Sequence, residues 1–254
     1  DVFEAIDHVM ANYPIDPARI SLIGHSMGGA AVWYLVSHYP DRFAAGAPLA
    51  GYCDYRLWER PGGTTFHMAP WEEPSWQGRS AAMLAENFQH TPMWILHGQR
   101  DRAVGGGVAV EHARQMARRL DALGYPCIYT EVAARGHDTC SEEQREDVVD
   151  WLLQQRKTAA PDSIVHATWT LRHNRSYWLA IDTINRHGER ALAQAAFDDD
   201  DRLIVETENV GGLTLGPLPR TGNVAVTVNG ADRGEFPAGQ PFTVSCVGGE
   251  EKPA

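Results

Sequence analysis

The stretch ISLIGHSMGG, residues 20–29, decides the fold of this 254-residue chain. Its first residues are mostly apolar and predict a buried strand, while the apolar residues 30–36 that follow predict a helix. Between them, GHSMG at residues 24–28 fits the pattern G-x-S-x-G. The glycines permit a tight turn and leave space around Ser26, whose hydroxyl then projects from the carboxyl edge of a sheet. The stretch therefore predicts a nucleophilic serine between a strand and a helix.

The sequence on both sides of this turn alternates between strands and helices. Short apolar runs predict strands, and apolar residues at helical spacing predict helices. Ser141 and Gln144 form a capping pattern that opens the last helix, and Gly124 is a natural helix stop. The expected helices are 2–13, 30–36, 109–123 and 141–152, and the expected strands are 20–24, 44–49, 93–96 and 127–132. This order predicts a parallel sheet flanked by helices.

The last third of the sequence follows a different pattern. The segment RKTAAPDS, residues 156–163, is typical of a linker, and beyond it apolar and polar residues alternate. Asn229-Gly230 is a strong hairpin signal. The alternating runs are 164–171, 177–184, 202–210 and 224–230. We therefore predict an α/β domain over 1–157, with an insertion over 51–89, and a small antiparallel β-domain over 158–254.

A serine hydroxyl is a poor nucleophile by itself. A histidine must take its proton, and a carboxylate must hold that histidine in the right tautomer. Asp101 comes just after the predicted strand 93–96, so its carboxylate is expected at the same sheet edge as Ser26. His137 is the histidine downstream of Asp101 that falls in a loop at this edge. The alternative for Asp101 is a surface aspartate between two arginines.

The insertion over 51–89 is rich in tryptophan. Long irregular segments in such folds often cover a binding cleft. We therefore take Trp58, Trp71 and Trp76, together with His25 beside the serine, as candidate substrate-binding residues. The alternative is that the tryptophans only pack the insertion onto the body of the domain.

Composition restricts the partners and cofactors that we expect. The net charge is -11 and no run of lysine and arginine is present, which argues against a nucleic-acid partner. No apolar stretch is long enough to span a bilayer, so we expect a soluble chain without a membrane partner. The cysteines show neither a CxxC pair nor metal-like spacing with histidine, and we expect no metal site and no cofactor.

Several segments of the sequence carry a family resemblance. They are IDPARISLIG (15–24), GHSMGG (24–29), LHGQRD (96–101) and ARGHD (134–138). Together they resemble the catalytic domain of prolyl oligopeptidase-like (S9-type) serine hydrolases of the α/β-hydrolase superfamily, over about residues 1–155. The resemblance implies that Ser26 is the nucleophile, Asp101 the acid and His137 the base. It also implies that the Met27 amide is one oxyanion donor.

The same resemblance implies how the sheet is built. Domains of this family resemble an eight-stranded sheet in which the serine turn follows the fifth strand. We therefore expect a partial α/β-hydrolase fold, with the first strands and the loop of the second oxyanion donor upstream of residue 1. The strand 20–24 is then expected at the edge of the sheet.

Acyl-bond cleavage through a Ser-His-Asp triad and an acyl-enzyme is the expected function, with a small ester or peptide substrate. The segment HYPDRFAAGAPLAG (38–51) also resembles dienelactone-hydrolase and depolymerase-type esterases, so a carboxylesterase of that type is the first alternative. An alternative of another class is a non-catalytic polysaccharide-binding protein that uses Trp169, Tyr177 or Trp178 of the β-domain.

Overall fold

The computed structural model of the chain describes residues 2–57, 69–103 and 106–246, together with the backbone of residues 59–60 and 64–65. The described residues up to 154 form an α/β part, and residues 163–246 form a β-sandwich. The α/β part contains α1 (Val2–Asn12), β1 (Leu22–His25), α2 (Met27–His38), β2 (Gly46–Leu49), β3 (Glu59–Arg60), β4 (Thr64–Thr65), α3 (Glu73–Arg79), β5 (Met93–Gly98), α4 (Glu111–Ala122), β6 (Cys127–Val132) and α5 (Glu142–Gln154). The predicted helices and strands of this part are all confirmed, with boundaries shifted by a few residues.

A parallel sheet forms the centre of the α/β part. Its strand order is β1-β2-β5-β6, and all three strand pairs are parallel. Among the described residues β1 pairs only with β2, so the predicted edge position of this strand is confirmed. Because parallel strands share one direction, the turns after β1, β5 and β6 all open at the carboxyl edge of the sheet.

The insertion is more regular than the sequence suggests. We expected an irregular segment over 51–89, whereas the structure contains α3 and a 3-10 stretch, Ala81–Phe88, whose Phe88 side chain is fully buried. Pro74 lies in the first turn of α3, where its missing N–H has no cost. The proline therefore starts a helix here, although in the sequence it reads as a helix breaker.

Two sheets enclose a single hydrophobic core in the β-sandwich. Its strands are β7 (Ser163–Thr168), β8 (Arg175–Ser176), β9 (Leu179–Ile184), β10 (Ala191–Phe197), β11 (Leu203–Glu208), β12 (Val210–Leu215), β13 (Asn223–Val228), β14 (Ala231–Pro237) and β15 (Phe242–Ser245). The sheet orders are β14-β13-β11-β10-β7 and β15-β12-β9-β8. The predicted antiparallel arrangement is confirmed except at β11 and β13, which pair in parallel. The chain crosses to the other sheet through β12 between them, so it enters β13 in the direction of β11.

A buried amide joins the two parts. The Asn87 Nδ2 donates to the carbonyl oxygens of Ser37 at 2.6 Å and Ala167 at 2.8 Å, and its Oδ1 accepts from the Ala167 N–H at 2.7 Å. Since Asn87 is buried, these bonds meet the requirement that buried polar groups find partners. They hold β7 against the α/β part.

That the two parts are separate domains with a boundary at residue 157 stays a prediction. Among the described residues, no helix is both long and apolar enough to cross a bilayer.

Buried histidines should make the stability of this fold depend on pH. Burial lowers the pKa of His112 and of His166 from 6.5 to about 4. A group whose pKa is lower in the folded state stabilises that state fully above pH 6.5, and this stabilisation is lost as the pH falls toward 4. At pH 4, protonation should cost on the order of 1–3 kcal/mol for each histidine.

We therefore expect the free energy of unfolding, measured in denaturant, to fall steeply between pH 6.5 and 4. The variant His166→Gln should weaken this dependence. The exposed His187 serves as the matched control, and His187→Gln should leave the dependence as it is in the wild type. Equal pH profiles for the two variants would contradict the assignment of this effect to buried histidine.

Candidate active site

Ser26 lies in a strained turn between β1 and α2. Its backbone has φ 57° and ψ −116°, a conformation that residues other than glycine rarely adopt. Neighbouring glycines make room for it, because a Cβ on Gly24 would lie 2.3 Å from the Gly28 carbonyl oxygen. The Ser26 N–H donates to the Leu49 carbonyl oxygen at 2.8 Å. The turn is therefore fixed against β2 and holds the serine at the sheet edge.

The structure brings together Ser26, His137 and Asp101, which come from different loops. Ser26 Oγ lies 2.8 Å from His137 Nε2, and His137 Nδ1 lies 2.8 Å from Asp101 Oδ2. The Asp101 side chain is 1% exposed and that of His137 is 30% exposed. Since a carboxylate only accepts hydrogen bonds, Nδ1 carries the hydrogen, and Nε2 is left to accept from the serine hydroxyl. The three side chains thus form a continuous hydrogen-bonded row.

Further donors surround the carboxylate of Asp101. The Val108 N–H donates to Oδ1 at 3.0 Å, and His97 Nε2 lies 3.2 Å from Oδ2 and 2.9 Å from the Val108 carbonyl oxygen. Both of these oxygens are acceptors, so His97 Nε2 carries a hydrogen. Burial raises the pKa of Asp101, but the hydrogen bonds from His97 and His137 outweigh it and keep the pKa below 3.8. The carboxylate is therefore ionised and fixed in orientation.

Two glycines allow the loops of Asp101 and His137 to approach closely. A Cβ on Gly107 would lie 2.1 Å from Asp101 Oδ1, and a Cβ on Gly98 would lie 2.1 Å from the Gly136 carbonyl oxygen. Neither position can hold a larger residue without movement of the site. From the sequence, Gly107 had no predicted role, and His97 was expected only to shape the cleft. The glycine-rich run at 105–107, just after Asp101, is the signal that could have revealed the first of them.

His25 and Met27 flank the serine on either side. His25 is exposed, and its Nε2 donates to the His137 carbonyl oxygen at 2.6 Å, so it braces the loop that carries His137. Met27 is the first residue of α2, and its side chain is 79% exposed. The first N–H groups of a helix have no acceptor within the helix. The Met27 amide is thus available beside Ser26 Oγ.

The tryptophans of the insertion have different environments. Trp71 is 82% exposed, whereas Trp76 packs on Tyr55 with 4.9 Å between the ring centroids. Trp58 lies outside the described residues. Trp71 is therefore accessible to a ligand, while Trp76 takes part in packing within the insertion.

The aromatic residues considered for polysaccharide binding also differ. Trp178 is buried, and its indole N–H donates to the Pro161 carbonyl oxygen at 2.8 Å. The phenolic oxygen of Tyr177 is buried as well. Trp178 therefore belongs to the packing of the β-sandwich and is not an exposed platform, while a platform role for the half-buried Tyr177 stays a prediction. Trp169 is half-buried and lines a cavity at the edge of the β-sandwich.

Comparison with known proteins places this site in a family. Residues 1–158 match the prolyl oligopeptidase family. An uncharacterized secreted protein of Arthroderma benhamiae is 35% identical over 125 residues, which are 46% of this chain and 12% of that protein. Dipeptidyl-peptidase 5 of Porphyromonas endodontalis is 28% identical over 139 residues, which are 50% of this chain and 20% of that protein.

A solved structure shows the same fold. The structure of a proposed dipeptidyl aminopeptidase IV from Bacteroides ovatus matches with a TM-score of 0.52 and 18% identity, over 61% of this chain and 22% of the other. The chain thus spans between 12% and 22% of the length of these three proteins. The family match covers more than half of this chain and includes the serine turn and both loops of the site. The chain therefore belongs to the prolyl oligopeptidase family of serine hydrolases and has the α/β-hydrolase fold.

Proposed function

We propose that this protein hydrolyses acyl bonds of small ester or peptide substrates through an acyl-enzyme on Ser26. The observation that carries the proposal is the row from Ser26 Oγ through His137 to Asp101, in which both hydrogen bonds are 2.8 Å long. His137 Nε2 takes the serine proton as Oγ attacks the carbonyl carbon, and then gives it to the leaving group. Water next attacks the acyl-enzyme with His137 again as the base, which releases the acid and restores the serine.

Three features would stabilise the charges that develop during this attack. The Met27 amide is proposed to donate to the oxyanion of the tetrahedral intermediate, since it lies at the start of α2, directly after Ser26. The partial positive charge at the N-terminus of α2 favours the same negative charge. Asp101, ionised and held by three donors, stabilises the imidazolium that forms on His137.

His97 is proposed as a positioning residue. Its Nε2 contacts Asp101 and the Val108 carbonyl oxygen, and in the part of the chain that the structure describes it forms no hydrogen bond with Ser26 or His137. By donating to Asp101 it fixes the carboxylate oxygen that receives the hydrogen of His137. It therefore acts on the reaction through Asp101.

A substrate screen tests the proposed function. We would compare p-nitrophenyl esters of short acids with peptide p-nitroanilides, using the wild type and Ser26→Ala in parallel. Turnover of at least one class by the wild type, absent from the variant, is the expected result. Faster turnover of esters than of anilides would assign the protein to the carboxylesterases, and the reverse would assign it to the peptidases. No turnover of either class above the variant would contradict the proposal.

Gly107→Ala should impair the site although Gly107 itself carries no catalytic group. The new Cβ would lie 2.1 Å from Asp101 Oδ1, so the carboxylate must move away from His137. A displacement of this kind is expected to lower kcat by about 10²-fold. Gly239→Ala is the matched control, because nothing lies within 4 Å of a Cβ at that position, which is in the β-sandwich. Equal kcat values for the two variants would show that the position of Asp101 does not matter.

A further inference from the structure

A cavity of about 470 Å³ lies where the α/β part meets the β-sandwich. Side chains from α2, from the end of α3 and from the segment after β7 line it, among them Tyr34, Arg79, Trp169, Thr170 and Arg172. None of the residues of the hydrogen-bonded row at the candidate active site is part of this lining. Its volume is in the range that holds a small ligand. The cavity is therefore a second candidate binding site.

The charge of this cavity is positive. Arg79 and Arg172 line it, and among the described residues no aspartate or glutamate does so. Neither arginine forms an ion pair with a carboxylate in the part of the chain that the structure describes. Nearby arginines of the β-sandwich are paired, as Arg190 is with Glu86 at 2.7 Å. Two unpaired guanidinium groups in a chain of net charge -11 favour an anionic ligand, and their planar donors match a carboxylate.

An aromatic surface and several hydroxyl groups complete the lining. Trp169 lies close against α3, since a Cβ on Gly78 would be 2.9 Å from the Trp169 Cβ. Three residues that carry hydroxyl groups, Tyr34, Ser75 and Thr170, also line the cavity. An indole offers a flat apolar surface to the apolar face of a ring, while hydroxyl groups exchange hydrogen bonds with ring hydroxyls. This combination fits a hydroxylated ring.

We propose that this cavity binds an acidic sugar, with its carboxylate held by Arg79 and Arg172 and its ring against Trp169. Sugar hydroxyls would bond to Tyr34 and Thr170. The proposal concerns binding alone and is independent of the hydrolysis proposed for Ser26. Trp169, which the sequence suggested for polysaccharide contact, would thus bind a sugar that carries a negative charge.

A matched pair of sugars tests this proposal. D-galacturonate and D-galactose have the same ring and differ in the carboxylate, so we would titrate each into the full chain by NMR and calorimetry. Galacturonate should bind saturably, and galactose should bind at least about tenfold more weakly, because the arginine contacts depend on the carboxylate. Equal binding of the two sugars, or no binding of galacturonate at millimolar concentration, would overturn the proposal. Inorganic phosphate that binds as tightly as galacturonate would overturn the role of the sugar ring.

Arginine variants locate the binding. The double variant Arg79→Ala with Arg172→Ala should lose at least about tenfold in affinity for galacturonate. Both side chains are exposed, so the fold should be kept, and circular dichroism checks this. Arg145→Ala is the control, because Arg145 is an exposed arginine on α5 outside the cavity. Affinity that stays unchanged in the double variant would overturn the proposed site, whatever the outcome of the hydrolysis assays.

Discussion

Replacing Ser26 by alanine is expected to lower kcat by about 10⁴ to 10⁶-fold for any ester or peptide that the protein hydrolyses. The substitution removes the atom that would bond to the acyl group. It leaves the His137–Asp101 hydrogen bond of 2.8 Å in place, so the loss reports on the nucleophile and not on the arrangement of its partners. Steady-state kinetics with the best substrate of the screen measures it.

A second serine provides the control for this loss. Ser75 is exposed on α3 and lines the separate cavity, so Ser75→Ala should keep the kcat of the wild type. If Ser26→Ala retained kcat within about tenfold of the wild type, the serine would not be the nucleophile.

Asp101→Asn is expected to give the second largest loss, about 10³ to 10⁴-fold in kcat. Oδ1 of Asp101 accepts from the Val108 N–H, and Oδ2 faces His137 and His97, so every neighbour is a donor. An asparagine has one oxygen and one NH₂ group. Whichever way the amide turns, a donor faces a donor, and the tautomer of His137 or the position of its ring is disturbed.

Asp138 offers a matched control for this variant. It is adjacent to His137 in the sequence, is 60% exposed on its side chain and pairs with Arg135 at 2.5 Å. Asp138→Asn removes a nearby charge without touching the row, and it should leave kcat within a few-fold of the wild type. A larger loss in Asp138→Asn than in Asp101→Asn would reassign the acid.

Much of the α/β part, and one hairpin of the β-sandwich, could be predicted because their signals are local. The capping box of Ser141 and Gln144 is present at the start of α5, and Gly124 follows the end of α4 with φ 70°. The hairpin at Asn229-Gly230 joins β13 to β14, with φ 51° and 77° at its two residues. In each case the conformation depends on a few neighbouring residues, which a sequence displays directly.

The β-sandwich was harder to predict because its pairing is not local. β10 escaped prediction since it contains Ala191, Ala193 and Ala195, and alanine is a weak strand former. The structure buries all three between the sheets, where small side chains fit. Burial against strands that are distant in the sequence, rather than the local conformational preference of alanine, therefore determines β10.

The candidate site was likewise predictable only in part from the sequence. The types and order of Ser26, Asp101 and His137 are visible in the sequence because each follows a recognisable strand. Gly107 was not predicted, and His97 was expected only to shape the cleft, because their contacts with Asp101 depend on how the loop after Asp101 folds back onto its own carboxylate. The spacing of residues along the sequence does not reveal this contact, because it forms only when the loop folds.

The most direct test of the central claim is covalent labelling of the nucleophile. We would treat the full chain with a serine-reactive fluorophosphonate and locate the adduct by peptide mass spectrometry. We expect a single adduct on Ser26, absent from Ser26→Ala and formed more slowly in Asp101→Asn, because His137 Nε2 lies 2.8 Å from Oγ and activates it. An adduct on another serine, or none on Ser26 in the folded wild type, would contradict the account.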